Sequence, residues 1–232
     1  MTSEASIHTL NRLQEASIQE QVEVAIDDLL GSFPDPGQLS ADQRRGIIAR
    51  YTAVLEGNFI YWMTATYLSV GSEEARSKIL DNLREEIRDC HPGMMRRFAM
   101  AAHAVPTDSD ALDVYKDLTN VRLFVGRFSA VRIVLMMAFF EGFIQRFMAY
   151  LAELATAQGS AELEYTDVHG VCDVAHTQEL FRALAAEMTL NPVEPSANLF
   201  EGVDLLRTLM RSIVFGIGSK KDSGGHTRLA AR

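Results

Sequence analysis

Cysteine is scarce in this 232-residue chain, with Cys90 and Cys172 as the only two. That excludes a disulfide framework, and a reducing, cytoplasmic compartment is the simple expectation. Basic charge is also in short supply: 22 lysines and arginines stand against 31 acids, for a formal net charge of −9. A surface of that sign repels phosphate backbones and anionic lipid, so neither nucleic acid nor a membrane is an expected partner. No long basic patch reverses this, since Lys220 and Lys221 sit near the chain end. The amino-terminal MTSEASIHTL lacks the basic leader and apolar stretch of a secretory signal. Sustained apolar/polar alternation is missing too, which excludes an extensive β-sheet.

What is present is helical periodicity over almost the whole chain, with 47% hydrophobic residues to fill a core. A first helix is expected over about 16–31, stopped by SFPDPG. Ser40, with Gln43 three positions on, forms a capping box and opens a second helix to about Leu68. Ser72 caps a third, SEEARSKILDNLREEIRDC, which Pro92 ends. A shorter helix runs to about Val105, and helical segments cover about 109–157 with a break near Thr119 or Gly126. Another carries DVHGVCDVAH to about Met188, and the last covers about 197–215. The most apolar run, residues 128–148, is interrupted by Arg132, Glu141 and Arg146, which suits a buried core helix better than a membrane span. No repeat and no long linker divides the chain. The fold class expected is all-α in one domain, residues 1–217, with a flexible tail over 218–232.

Against this apolar background a few polar residues stand out. In DVHGVCDVAH, His169, Asp173 and His176 fall at offsets 0, 4 and 7. At helical pitch these lie within roughly 60° of one another, so the three share one face. Val171, Val174 and Leu180 suggest apolar packing around that stripe. Imidazole and carboxylate together suit iron, manganese or zinc, and hydrogen-bonded histidines in a core are the simpler alternative. Glu141 lies inside MMAFFEGFI, where a carboxylate must face a cation or a partner chain; pairing with Arg132 or Arg146 is the structural alternative. In NLREEIRDCHP, Ile79, Leu83, Glu86 and Cys90 share a side, with Glu85 about 100° away toward solvent. His91 sits at the helix break, free to swing back toward Glu86.

Taken in order, NLREEIRDCHPGMMRRF, MMAFFEGF and DVHGVCDVAHTQELF resemble the haem-oxygenase-like dimetal oxidases over about residues 50–215. The resemblance implies a haem-oxygenase-like bundle of about seven to eight helices. It implies that Glu86, His91, Glu141, His169, Asp173 and His176 hold two Fe(II) ions, with Glu141, His169, Asp173 and His176 at the reacting centre. Glu85 remains an alternative to Glu86, and Glu56 in YTAVLEGNFIYW is a candidate extra carboxylate.

The implied function is O2-dependent oxidation of an unactivated C–H bond in a small carboxylate, with a free aliphatic amino acid favoured and desaturation, cyclisation or oxidative fragmentation as outcomes. Amine N-oxygenation and fatty-acid decarboxylation are alternatives within the family. Arg127, Arg132, Arg207 and Arg211 are candidates to hold the substrate carboxylate, and Tyr61, Trp62, Phe139 and Phe143 to line its pocket. A metal-free thiaminase-II-like enzyme with a nucleophilic Cys90 or Cys172, a haem binder, and a helical ligand-binding or dimeric protein compete with this view. Homodimerisation stays open.

Overall fold

A computed structural model describes residues 4–192 and 198–216, with side chains described from residue 17 onward. The expected tail over 218–232 and most of the loop before the last helix lie outside the described residues. Among the described residues there are eight α-helices and no strand: α1 (Glu4–Gly31), α2 (Ala41–Ser69), α3 (Glu73–Arg88), α4 (His91–Ala101), α5 (Asp108–Val125), α6 (Ala130–Ala157), α7 (Glu164–Leu190) and α8 (Glu201–Phe215). A 3-10 turn at Pro36–Gln38 links α1 to α2.

Local chemistry sets most of these boundaries. Ser40 and Gln43 form the reciprocal capping box at the start of α2, and Thr107 and Asp110 form another at the start of α5. The Ser72 hydroxyl accepts from the Ala75 amide, and Glu73 and Glu74 add charge favourable to the dipole of α3. The long 109–157 segment breaks at Gly126, the C-cap of α5. α1 begins well before residue 16, because Ala, Leu, Glu and Gln favour helix even where the apolar stripe is thin. Pro92 opens α4 instead of merely ending α3: it occupies the first turn, where a missing N–H costs nothing.

α6 is the centre of the bundle. It packs along α7 and against α2, α8 and α1, and 72% of its most apolar window is buried. It is the one described helix long and apolar enough to cross a membrane, and here its apolar surface is spent on protein neighbours. A Cβ on Gly142 would come within 3.1 Å of Ile26 Cδ1 and 3.4 Å of Thr177 Cγ2, so glycine permits the close approach of α6 to α1 and α7.

α3 is tied to α7 at one end by a buried carboxylate. Glu187, fully buried near the end of α7, accepts from the Gly71 amide at 3.0 Å, the Ser72 amide at 3.0 Å and Asn191 at 2.7 Å. It thereby satisfies backbone donors at the start of α3 that have no partner within the helix. Glu187→Ala removes that acceptor, and urea unfolding should show a loss of about 2 kcal/mol, with Glu187→Gln losing less because an acceptor remains.

Candidate metal centre

The polar residues flagged along the chain converge where α3, α4, α6 and α7 meet. α7 supplies the stripe His169, Asp173 and His176, all buried. The stripe faces inward for a different reason from the one its neighbours suggested. Val171 and Val174 are 76% and 46% exposed, since they project from the opposite side of α7, while α3 and α6 cover the polar side. Leu180 does pack in the core, on the same stripe.

α3 contributes Glu86, buried with Ile79 and Leu83. Cys90 does not continue that row. It lies outside α3 in the left-handed conformation (φ 57°, ψ 44°) and is exposed. This turn between α3 and α4 reverses the chain so that His91 returns toward Glu86, with Nδ1 2.8 Å from Glu86 Oε1. The His91 ring lies edge-on to that of His169, centroids 4.5 Å apart.

Glu141, on α6, is 2% exposed. Its Oε2 is 3.8 Å from His176 Nδ1, and its Oε1 accepts from Asn82 Nδ2 at 2.8 Å. Arginine pairing is not its role: Arg132 pairs with Glu201, and Arg146 with Asp27 and Glu23. Glu85 also reaches the cluster. It is half-exposed, and its Oε2 lies 3.3 Å from His176 Nε2, so the two adjacent glutamates of α3 approach different histidines.

The donors divide into two groups. Oxygen and nitrogen atoms of Glu86, His91 and His169 lie within 4.8 Å of one another, as do donor atoms of Cys172, Asp173 and His176. Asp173 Oδ2 and His176 Nδ1 are buried without hydrogen-bond partners among the described residues. Among the described residues no lysine or arginine pairs with Glu86, Glu141 or Asp173. Three buried carboxylates whose near partners are imidazoles, the Asn82 amide and the Cys172 thiol rather than fixed cations, with orphaned donor atoms between them, suit divalent cations.

The electrostatics follow from the same crowding. Burial pushes the His169 imidazole down to about 4, only partly offset by its bond to the Tyr165 carbonyl. That bond, Nδ1 to oxygen at 2.8 Å, makes Nδ1 the protonated nitrogen and leaves the Nε2 lone pair free. Burial, with neighbouring Glu141, drives the Asp173 carboxyl well above the usual carboxylate range. At His176 burial works downward, but Asp173, Glu141 and Glu85 outweigh it and raise the imidazole to about 11.

A small cavity of about 30 Å³ opens beside the donors. Leu55, Phe59, Ile60, Met95, Phe140 and Ile144 line it, together with Tyr165 and the donors Glu86, His91, Glu141, His169 and Asp173. Among the described residues no arginine or lysine is in the lining. Arg127 and Arg132 are engaged by Glu201, Arg207 lies 3.6 Å from Asp204, and Arg211 is exposed on α8. Tyr61 is largely exposed, while Trp62, Phe139 and Phe143 are core packing rather than lining. Glu56 pairs with Arg96 near the surface and does not join the donors.

Asn82, Tyr165 and Cys172 are further neighbours of the cluster, each within helical reach of a donor. Asn82 is four residues before Glu86, Tyr165 four before His169, and Cys172 three after His169. Tyr165 also shares a 2.8 Å hydroxyl–hydroxyl hydrogen bond with the buried Tyr51. Burial raises both hydroxyls above the ordinary tyrosine value, so both stay protonated.

Residues 48–206 match the family described as iron-containing redox enzymes, of haem-oxygenase-like type, and the chain belongs to that family. It is therefore an oxidoreductase by class. No curated protein is significantly similar to it.

On chelated protein these raised protonation equilibria tie stability to pH. The folded values of His176 and Asp173 are raised, so each stabilises the fold fully below its unfolded value and loses that contribution as pH rises. For His176 the window runs from about 6.5 unfolded up to about 11 folded. Without metal, urea midpoints should fall from pH 7 to pH 10, and His176→Gln should flatten the decline.

Proposed function

We propose that the protein is an O2-dependent non-haem diiron oxidase acting on an unactivated C–H bond. The observation that carries this is the pair of neighbouring donor groups, Glu86/His91/His169 and Asp173/His176, with the buried Glu141 within 3.8 Å of the second. One metal would be held by Glu86, His91 and His169, the other by Asp173 and His176, with Glu141 available to both and Glu85 at the edge. When bound, two ferrous ions supply the electrons and open coordination positions needed to reduce O2.

The chain's own residues do the rest. Tyr165 O fixes the His169 tautomer that offers Nε2, and Asn82 holds one oxygen of Glu141 in place. The apolar walls Leu55, Phe59, Ile60, Phe140 and Ile144 keep water from the reacting region and seat an aliphatic chain. That lining also bears on the substrate. A free amino acid brings an ammonium group, and among the described residues the cavity offers it no anion beyond the donors themselves. The lining favours an aliphatic carboxylate whose only charge sits at the metal end, over the amino acid suggested by resemblance.

Anaerobic loading should retain about two iron ions per chain. Glu141→Ala should abolish O2-dependent turnover while leaving the helical circular dichroism intact; wild-type turnover in that variant would overturn the assignment. Straight-chain carboxylic acids and free aliphatic amino acids should be compared for substrate-triggered O2 consumption and absorption change. Response to the amino acids alone would reverse the substrate preference.

A further inference from the structure

We infer that Cys172 supplies a sulfur donor to the second metal position, beside Asp173 and His176. The inference rests on the dimetal reading above and concerns a residue that reading leaves without a role. Cys172 is three residues after His169 and four before His176, which places it at the edge of the inward stripe of α7. Its Sγ donates to Asp173 Oδ1 at 3.2 Å, and its donor atom lies within 4.8 Å of those of Asp173 and His176.

The thiol is not alone there. The side chains of Asp173 and His176 are 1% and 9% exposed, yet among the described residues Asp173 Oδ2 and His176 Nδ1 have no hydrogen-bond partner. Two buried orphan donors and one sulfur on a single helical turn form a three-point grip for a cation. Cys90 offers nothing similar, being exposed at the α3–α4 turn. The two positions then differ in kind. Glu86, His91 and His169 present only oxygen and nitrogen, whereas the second group adds a soft atom that favours thiophilic ions such as cobalt(II), zinc or ferrous iron. On binding, the S–H bond is replaced by an S–metal bond and the proton leaves to water; no electrons change hands.

The bland alternative is that Cys172 only steadies Asp173 through its hydrogen bond. Cys172→Ser separates the two roles, because a hydroxyl keeps the donor and removes the sulfur. The full chain is titrated anaerobically with Co(II), following thiolate-to-cobalt charge-transfer absorption in the near ultraviolet, cobalt content by elemental analysis, and alkylation of Cys172 by mass spectrometry. Wild type and Cys90→Ser should develop the sulfur band, and cobalt should slow Cys172 alkylation at least roughly tenfold. Cys172→Ser should still take up cobalt but show no band. Cobalt retained without a band, a band that survives in Cys172→Ser, or alkylation unchanged by cobalt would overturn the sulfur assignment and leave the metal centre standing. No cobalt retained by wild type would overturn the metal centre itself. The alkylation measurement on wild type keeps the test decisive if the serine variant does not fold.

Discussion

Three carboxylates, from Glu86, Glu141 and Asp173, are buried among the helices with imidazoles as their near partners and, among the described residues, no lysine or arginine paired to them. An unpaired buried charge costs several kcal/mol, which is more than a marginally stable bundle can absorb three times over. The metal-free protein meets this by protonation: burial holds Asp173 and Glu86 toward their neutral forms, and His176 keeps its proton between the carboxylates. Divalent cations would replace those protons with a larger charge in the same place. Around this imbalance the helices are arranged, and it explains why polar residues interrupt helices that are otherwise apolar.

The scaffold that tolerates the imbalance is itself apolar and close-packed. α6 lies at the centre, Phe139, Phe143 and Phe147 along it stack on one another, and Gly142 lets its neighbours approach closely beside Glu141. Glu187 anchors the start of α3 to the far end of α7 through two backbone amides. The two helices that bear Glu86 and the His169–Asp173–His176 stripe are thus fixed to each other by hydrogen bonds at one end and by the donor cluster further along.

Much of this was legible in the sequence, and for identifiable reasons. Ser40/Gln43 and Ser72 announce helix starts through local hydrogen bonding, which needs no knowledge of the fold. The stripe on α7 is visible because helical pitch alone aligns offsets 0, 4 and 7. Glu141 stands out because no exposed face is available in so apolar a segment. Other features depend on neighbours distant in sequence. Val171 and Val174 read as packing residues, yet among the described residues the side of α7 they occupy is left exposed. Cys90 appears in line with Glu86 only if α3 continues through it, and the left-handed turn prevents that. Of the arginines expected to receive a carboxylate, Arg127 and Arg132 are already held by Glu201, an acid far along the chain, while Arg207 and Arg211 lie on α8 away from the cavity. Glu56 likewise meets Arg96, which periodicity cannot foretell.

The turn at Cys90 has a mechanical meaning. Glu86 and His91 stand on opposite sides of it, one on each of two rods, so their separation is not fixed by the pitch of any helix. It is set by the angle at which α3 meets α4, as the gap between the jaws of pliers is set at the pivot. A change in that angle, and not in either rod, is what would open or close that bite; Pro92 and Met95 of α4 stand in the cavity wall beside it.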